Sequence, residues 1–554
     1  MILLFESAKY DSQAIEPLLG ERYYRPIGSG MVQIDYVGYY YQAPANDSVL
    51  ILPKVFLKNG QTFLGYAPDQ WLNLPQNKDL QTELKQNKQT DFLFRFSVWL
   101  YQAIKIFGQR QPDSTITDAA DLQYITEPNG QRHLSELEII NSLLRFNRDN
   151  PSLFTFIKRY NTSQKQQVSW QRTVSKQTPI IQNGLPVYVE TVNKRKNIDS
   201  DEELFVLFFS VLKHLNKTYN LKSTLSLLYE PVSEREFKKL LDGGGTRRLK
   251  QIRNRYYSDK MRQLWQLLYA YFDRAERAKS QKEFREIVLV RDFNIVFEDM
   301  IDSLLTDPAQ PLPKKLKEHK DGKILDHIYE YQSLIAPHDS IYHIGDSKYY
   351  SDGNTMAQSS VYKQFTYARN VIQLNIDLLK EGKLAQPLRY RDDLTEGYNV
   401  TPNFFISALV NDLLSFKTDD LLLRPEKLKP NNHFIDRLFD RDTLLLQAYN
   451  INFLYVLANY VTQNRTETTR FRESTRRLFR SHLVEYLNSQ YVFYKIIPTE
   501  LTLEDFVTQH FRLLNGQMYR PSHFENAILV AIKKNGSLDL SQFESEAIIE
   551  QYSL

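Results

Sequence analysis

The sequence contains no cysteine, and this absence removes several classes of function at once. A chain without cysteine has no disulfide framework, no thiol nucleophile and no cysteine-ligated zinc or iron–sulfur centre. Histidine is also scarce, and the 10 histidines are scattered singly along the chain. We therefore expect that any bound metal is a hard cation held by carboxylate groups.

Long apolar runs and a strong excess of one charge are missing too. No window approaches the roughly 18 consecutive apolar residues that a membrane span requires. The apolar N-terminus reaches Glu6 at once and lacks the basic region of a signal peptide. The net charge of +4 is too small to identify a nucleic-acid-binding protein by itself. These features predict a soluble, intracellular protein with no membrane partner.

Nucleotide-binding motifs are absent as well. The sequence contains neither G-x-x-x-x-G-K-[ST] nor a strand followed by G-x-G-x-x-G. The glycine-rich segment at residues 242–245 is interpreted as a hinge or turn. The chain is thus not expected to hydrolyse nucleotides itself, so a partner would supply any NTP-derived energy.

The patterns that are present predict an α/β protein of the multidomain α+β kind. Its 554 residues suggest three or four domains at roughly 100–200 residues each. Strand-forming runs stand out at 31–41 and 49–56, residues 92–110 have helical spacing, and 168–192 is strand-like or irregular. We predict four regions: a β-rich N-terminal domain at 1–75 for partner docking or DNA contact, a mixed, mainly helical middle region at 90–285, an α/β core at 286–395, and a mainly helical C-terminal region at 396–554.

One constellation in the predicted core carries chemistry. Residues 323–335 read as a strand with Asp326 near its start, and residues 341–350 read as a returning strand that contains Asp346-Ser-Lys348. Side chains at positions i and i+2 of a strand point to the same face, so Asp346 and Lys348 share one. Pairing of the two strands as a hairpin would bring Asp326 near Asp346, although they lie 20 positions apart.

Two acids and a lysine in this arrangement suit metal-dependent hydrolysis of phosphodiesters. Carboxylates hold the metal, and a cation such as lysine orients water or stabilises the developing charge. Other acid-x-Lys triplets occur, for example at Glu381 and Lys383, but only Asp346-Ser-Lys348 ends an apolar strand that follows an Asp-bearing strand. The constellation predicts a PD-(D/E)xK endonuclease centre that uses Mg²⁺, with Mn²⁺ able to substitute. The alternative is an exposed hairpin with ordinary surface charges.

Two helices flank this hairpin in the sequence. Residues 293–305 form an amphipathic pattern with Glu298 at the flank of the apolar stripe, although an acid on a helix flank is commonplace. The helix predicted at 358–381 carries Lys363, Gln364 and Tyr367 at mutually accessible spacings. Polar groups there are candidates for contact with water, a metal ligand or the DNA backbone.

Basic stretches are the candidates for DNA contact. One extends over residues 247–262 and contributes Arg247, Arg248, Lys250, Arg253 and Arg255, and the other extends over residues 465–480. Cations that meet phosphates strengthen binding in a salt-dependent way, and interleaved aromatic residues can stack on bases. The alternative for either stretch is a solvated helix face.

The order of these elements resembles the nuclease domain of McrC-type and LlaJI-type restriction endonucleases. The Glu298 helix, the Asp326 strand, the Asp346-Ser-Lys348 strand and the Lys-Gln-x-x-Tyr helix follow one another as in that domain. Sparser similarities to the LlaJI-like group and related proteins occur at Tyr36-Val-Gly38 with Leu52-Pro-Lys54, at Trp170-Gln-Arg-Thr173 with Pro179-Ile180, and at residues 440–444 with 450–454.

The resemblance implies an Mg²⁺-dependent endonuclease subunit of an NTPase-coupled restriction system in the prokaryotic cytoplasm. It implies double-stranded DNA as substrate and a separately encoded McrB-like AAA+ GTPase or ATPase as partner. In this hypothesis the metal is held by Asp326, Asp346 and the Ser347 carbonyl, with Lys348, Glu298 and Gln364 assisting.

The alternatives are a non-catalytic adaptor that stimulates an AAA+ ring and a standalone repair or defence nuclease. One departure concerns the RecB-like pattern, which has Gln four residues before Tyr. Here Gln364 lies three residues before Tyr367 and Lys363 occupies the fourth position.

Overall fold

The computed structural model of the chain describes residues 2–42, 48–63, 65–72, 89–111, 136–154, 168, 170–191, 202–218, 223–227, 229–280, 285–307, 325–350, 358–383, 388–424, 436–536 and 538–554. Residues 43–47, between the first two predicted strand runs, and residues 73–88, between the first two predicted regions, lie outside the described residues.

The N-terminal segment is rich in strands, as predicted. A short helix, α1 (Ser12–Ile15), accompanies them. The strands are β1 (Ile2–Phe5), β2 (Lys9–Asp11), β3 (Arg25–Gly28), β4 (Met31–Gln33), β5 (Tyr36–Gln42), β6 (Val49–Leu52), β7 (Leu57–Lys58) and β8 (Gln61–Thr62).

The middle of the chain is mainly helical, which also agrees with the prediction. Its elements are α2 (Gln89–Arg110), α3 (Glu136–Asp149), α4 (Trp170–Lys176), the hairpin of β9 (Ile180–Gln182) and β10 (Leu185–Val187), α5 (Glu202–Thr218), α6 (Glu234–Lys239), α7 (Gly245–Ile252) and α8 (Asp259–Ser280). Residues 170–173 lie in helix α4, and the strands described in this segment are those of the hairpin that follows. Gly243 has φ of +94°, which confirms a turn in the glycine-rich segment.

Strands β2, β4 and β3 form a sheet of their own and β7 pairs with β8, but β1, β6 and β5 share a sheet with a strand from later in the chain. The sheet order is β1-β6-β5-β11, in which β11 (Arg285–Arg291) pairs antiparallel with β5 along seven residues. Gly38 permits this close approach, because a Cβ atom there would lie 2.0 Å from the carbonyl oxygen of Val288. Strand β11 leads directly into helix α9 (Phe293–Leu305). The N-terminal sheet is thereby joined to the start of the predicted core.

A second sheet carries the predicted centre. The strands β12 (His327–Gln332) and β13 (Ser340–Lys348) form the predicted hairpin, followed by helix α10 (Gln358–Lys380) and the strands β14 (Thr401–Leu409), β15 (Leu422–Leu423) and β16 (Leu444–Asn452). The order is β12-β13-β14-β16-β15, with β13, β14 and β16 mutually parallel and the two edge strands antiparallel to their neighbours. The sheet therefore continues beyond residue 395, the predicted end of the core.

Both faces of this sheet are buried. Phe405, Ile344 and Leu446 face an apolar core that also contains residues of α10. Phe404 faces the large core that also contains α9 and the N-terminal sheet. Alternation along the strands thus divides the side chains between two cores.

The region predicted as mainly helical, residues 396–554, contains strands as well as helices. After β16 the elements are α11 (Phe453–Thr462), α12 (Arg465–Gln490), β17 (Tyr491–Pro498), α13 (Leu503–Leu514), β18 (Met518–Tyr519), β19 (Ile528–Lys533) and β20 (Ala547–Tyr552). The last four strands form an antiparallel sheet in the order β18-β19-β17-β20. Strands β14 and β16 are buried throughout most of their length, and short continuous apolar runs of this kind lack the alternation that distinguishes a strand from a helix. No described helix combines the length and the apolarity needed to cross a membrane.

Candidate active site

The hairpin register brings Asp326 and Asp346 together. His327 pairs with Gly345, so Asp326 lies opposite Asp346 one step beyond the last paired residues. The Asp326 carboxyl shares a hydrogen bond with Asp346, and the main-chain N–H of Ser347 donates to Asp326 Oδ2 at 3.1 Å. A pair of carboxyl groups is therefore held at the end of two adjacent strands.

This pair is electrostatically strained without a cation. Burial, which has the largest effect, and the neighbouring Asp346 and Glu298 together raise the pKa of Asp326 to about 9. Two carboxylates that share one site cannot both ionise freely, so one of them retains a proton at neutral pH. A bound cation would relieve the same repulsion by replacing that proton.

Lys348 is held against the acid pair. Its ammonium group donates to Asp346 Oδ2, and its Nζ lies 5.2 Å from the centroid of the Phe405 ring. The exposed fractions of the Lys348 and Asp346 side chains are 14% and 11%. An exposed hairpin with ordinary surface charges does not fit these contacts.

Helix α9 brings Glu298 to the edge of the same group. Burial raises the pKa of Glu298, and its charge interacts with His327, Asp346 and Lys348. Asn294, one turn earlier, donates through Nδ2 to Glu298 Oε1 at 3.3 Å. The flank of the apolar stripe, where the sequence places Glu298, thus faces the two aspartates.

Helix α10 contributes from the other side, through Lys363 rather than Gln364. The hydrogen bond to Tyr367 raises the pKa of Lys363, and the charges of Asp346 and Asp326 raise it further. Gln364 is almost fully buried, and its Nε2 donates to the Ile344 carbonyl at 3.1 Å and to Asn403 Oδ1 at 3.2 Å. Gln364 therefore ties α10 to β13 and β14, whereas Lys363 is the helix side chain that interacts with both aspartates.

Sequence reasoning missed a buried polar chain behind the aspartates. His327 is fully buried, its Nε2 lies 2.5 Å from Ser347 Oγ, and its Nδ1 lies 3.6 Å from Asp302 Oδ1. It therefore supports the segment whose main chain contacts Asp326. The only available signal was the position of His327 beside Asp326, because Asp302 resembles any other helix acid in the sequence.

The donor set fits a hard divalent cation. Across the described residues, no group of three or more His, Asp and Glu side chains is arranged to hold a metal. An ion here would rely on Asp326 and Asp346, with main-chain, water and substrate oxygens completing its shell. Mg²⁺ is commonly bound in this way, by one or two carboxylates together with substrate phosphates.

The first basic stretch forms a surface on α7 and the start of α8. Arg247, Lys250 and Arg253 are exposed there. Lys250 and Arg253 lie over the rings of Tyr269 and Trp265, at 5.8 and 5.5 Å from their centroids. Arg248 and Arg255 have a different environment, because both form ion pairs with Glu203.

The second basic stretch contains three arginines that stabilise the fold. Arg472 donates to the carbonyl groups of Ser303 and Leu304, and Arg476 donates to that of Leu305. Arg480 donates to the Ser333 carbonyl at 2.9 Å. These contacts favour the alternative of a structural role for the three side chains, and the guanidinium groups of Arg472 and Arg476 satisfy main-chain carbonyls at the C-terminal end of α9.

Fold and site together define a mixed α/β protein with a buried acid pair and an adjacent lysine at the end of a sheet. The chain belongs to the LlaJI restriction endonuclease family, whose model matches residues 81–370, more than half of its length. No curated protein and no solved structure matches the chain. Family membership indicates a nuclease of a restriction system with DNA as its substrate. The matched region contains Asp326, Asp346 and Lys348 and ends within helix α10.

Proposed function

We propose that the chain is the Mg²⁺-dependent DNA-cleaving subunit of an NTPase-coupled restriction system, with a PD-(D/E)xK centre. The observation that carries this proposal is the pair of the partly buried Asp326 and the buried Asp346, with Lys348 on the same strand as Asp346 and hydrogen-bonded to it. An acid pair in this state, next to a fixed ammonium group, suits metal-assisted hydrolysis better than a structural role.

The order of the elements supports the PD-(D/E)xK assignment. Helix α9 precedes the β12-β13 hairpin, and α10 connects β13 to the parallel strand β14. The acids lie at the point where β13 ends and the chain leaves the sheet. This placement leaves them at an edge that a DNA backbone can reach.

The proposed roles follow from the contacts of each side chain. Asp326, Asp346 and the Ser347 carbonyl would hold Mg²⁺, which when bound polarises a phosphoryl oxygen and lowers the pKa of a bound water. Lys348, fixed by Asp346, would orient the attacking water and stabilise the negative charge that develops on the phosphate. Lys363 would approach the same phosphate from α10. Glu298 adds a third carboxyl to the negative environment that attracts the cation.

The basic surface on α7 and α8 is the proposed DNA-binding surface. Cations held over aromatic rings lose less conformational freedom when they meet a phosphate, which favours binding. Arg247, Lys250 and Arg253 are the leading contacts, because Arg248 and Arg255 share Glu203. The separate AAA+ partner is proposed because the sequence has no phosphate-binding loop of its own.

The test is cleavage of plasmid DNA with Mg²⁺, with and without the cognate NTPase and its nucleotide. We expect Asp346→Ala and Lys348→Ala each to lower the cleavage rate at least about 100-fold, as the removal of one electrostatic contact to a transition state typically does. The matched control is Lys383→Ala, which removes the lysine of an exposed acid-x-Lys pair with Glu381 and should leave cleavage unchanged.

Two results would reject the proposal. One is equal cleavage by the folded Asp346 and Lys348 variants. The other is failure of the wild-type protein to cut in the presence of an active partner, which would favour the adaptor hypothesis. Dependence of cleavage on the nucleotide distinguishes the coupled system from a standalone nuclease.

A further inference from the structure

A buried polar cluster joins the N-terminal sheet to the strand that carries Lys348. Tyr349 directly follows Lys348, and its hydroxyl donates to Glu6 Oε2. The main-chain N–H of Lys54 donates to the same Glu6 oxygen at 3.0 Å and to the Tyr349 hydroxyl at 3.2 Å. Glu6 follows β1 and Lys54 follows β6, so the ends of two N-terminal strands meet the end of β13 here.

The side chain of Lys54 closes this cluster. Its Nζ lies 3.8 Å from Glu6 Oε1 and 4.7 Å from the centroid of the Tyr349 ring. The exposed fractions of Glu6 and Tyr349 are 5% and 4%. Hydrogen bonds and ion pairs are strong in such a desolvated place, and their loss leaves a buried polar group unsatisfied.

The Tyr349 ring also contacts helix α9. The Tyr349 ring centroid lies 5.6 Å from that of Phe293 and 6.0 Å from that of Phe297. Glu298 directly follows Phe297 in the helix. Helix α9 is itself fixed to the N-terminal sheet, because β11 pairs with β5 immediately before it. The N-terminal sheet thus contacts two of the segments that present groups to the acid pair, β13 and α9.

We propose that Glu6 and Lys54 are positioning residues for this centre, which fix the end of β13 and the direction of Lys348 through Tyr349. The inference rests on the proposed function, and it assigns a role to Leu52-Pro-Lys54 beyond the sheet itself. Lys348 is the last residue of β13 in the ladder with β14, so Tyr349 lies just beyond the support of strand pairing. The bond to Glu6 supplies the support that the ladder no longer gives.

The expected effect of losing this bond is a small displacement of Lys348. A misplacement of about 1 Å at a reacting centre can reduce a rate about 100-fold without a change in substrate affinity. Tyr349→Phe removes the hydroxyl and keeps the ring between α9 and Lys54. We expect kcat to fall at least about 10-fold while KM for DNA stays within about 2-fold, the pattern of a group that acts on the chemical step.

A second measurement does not depend on cleavage. The rate at which an amine-reactive reagent modifies Lys348, followed by mass spectrometry, reports how firmly its ammonium group is held. It should rise several-fold in Tyr349→Phe. Lys105 is the matched internal reference, because it forms an ion pair with Glu138 at a similar exposure of 16% and should keep its wild-type rate.

Two further variants separate positioning from general stability. Glu6→Gln keeps an oxygen that accepts from Tyr349, whereas Glu6→Leu does not. Lys348 should therefore be modified more slowly in Glu6→Gln than in Glu6→Leu, and Glu6→Gln should keep most of the activity. Tyr519→Phe removes another buried phenol that donates to a carboxylate, Asp339, in the C-terminal region. It should lower the melting temperature without changing kcat or the modification of Lys348.

The outcomes are distinguishable. Increased modification of Lys348 together with a lower kcat supports the proposal. Increased modification with an inactive wild-type enzyme supports positioning but rejects the nuclease function. Unchanged modification of Lys348 in folded Tyr349→Phe overturns the proposal. If that variant does not fold, Glu6→Leu replaces it: an unchanged Lys348 modification rate there has the same meaning, because this change removes the carboxylate that accepts from the Tyr349 hydroxyl.

Discussion

At the scale of single residues, the surroundings of Asp326 favour its protonated form, whereas the proposed metal binding requires its carboxylate. Burial first, and then Asp346 and Glu298, raise its pKa from 3.8 to about 9. Between these two pKa values, Asp326 keeps its proton in the folded protein but has already released it in the unfolded chain. Stability conferred by that proton is complete below the unfolded value and is lost as the pH rises through the folded value. The metal-free protein should accordingly become less stable as the pH rises towards 9.

Asp326→Asn should remove this dependence, because the amide does not titrate. In the metal-free protein we expect the free energy of unfolding to vary less between about pH 6 and 9, by up to about 1.4 kcal/mol per pH unit. Urea denaturation at several pH values in the presence of a chelator measures it. Mg²⁺ should flatten the wild-type profile by replacing the proton, and it should have little effect on the variant.

The control for this experiment is Asp377→Asn, which neutralises an exposed carboxylate on α10. That variant should keep the wild-type pH profile and its response to Mg²⁺. A wild-type slope that persists in Asp326→Asn would contradict the shared proton at this position. Loss of cleavage in Asp326→Asn, despite equal or greater stability without metal, would show that the carboxyl serves chemistry rather than folding.

At the scale of elements, the two basic stretches separate into a structural one and a candidate for DNA contact. Arg476 donates to the Leu305 carbonyl and lies 4.4 Å from the centroid of the Tyr329 ring. We expect Arg476→Ala to lower the free energy of unfolding by about 2 kcal/mol, as the loss of a charged hydrogen bond typically does, and to leave the salt dependence of DNA binding unchanged.

The opposite result is expected for Arg253→Ala on the surface of α7 and α8. Its loss should weaken DNA binding and reduce the slope of log K against log salt by about 0.9 for duplex DNA, since one phosphate contact disappears. Unfolding should change by no more than about 0.5 kcal/mol, as for most surface substitutions. Fluorescence anisotropy at several salt concentrations and denaturation of both variants measure these effects. The same loss of DNA affinity in Arg253→Ala and Arg476→Ala would contradict the assignment of different roles to the two basic stretches.

The elements also show which parts of the structure the sequence could predict. Local periodicity was sufficient for α9, α10 and the hairpin, and the two-residue repeat of a strand was sufficient to place Asp346 and Lys348 on one face. Pairing of β5 with β11 joins residues far apart in the chain, so no local pattern reveals it. The contact that Arg476 makes could not be predicted either, because an arginine that caps a helix and one that binds a phosphate have the same spacing in a sequence.

At the scale of the whole molecule, the acid centre depends on regions on both sides of the predicted core at 286–395. Strand β13 pairs with β14, which lies beyond residue 395, and β11 pairs with β5 near the N-terminus. One apolar core extends from β1 through α9 to β16 and α12. A domain that shares its sheets and its core with its neighbours cannot bury its own apolar surface alone.

A fragment of residues 286–395 is therefore not expected to fold. It would lack β5, β14 and β16, so the β12-β13 hairpin would have no further strand to pair with, and isolated two-stranded hairpins are at best marginally stable in water. We expect no near-UV circular dichroism, no cooperative urea transition and an expanded hydrodynamic radius, whereas full-length Asp346→Ala should unfold cooperatively. A compact fragment with a cooperative transition would show that the neighbouring regions are accessories. The failure to fold would instead mean that the acid pair is held in place by the N-terminal sheet and the C-terminal strands as much as by its own hairpin.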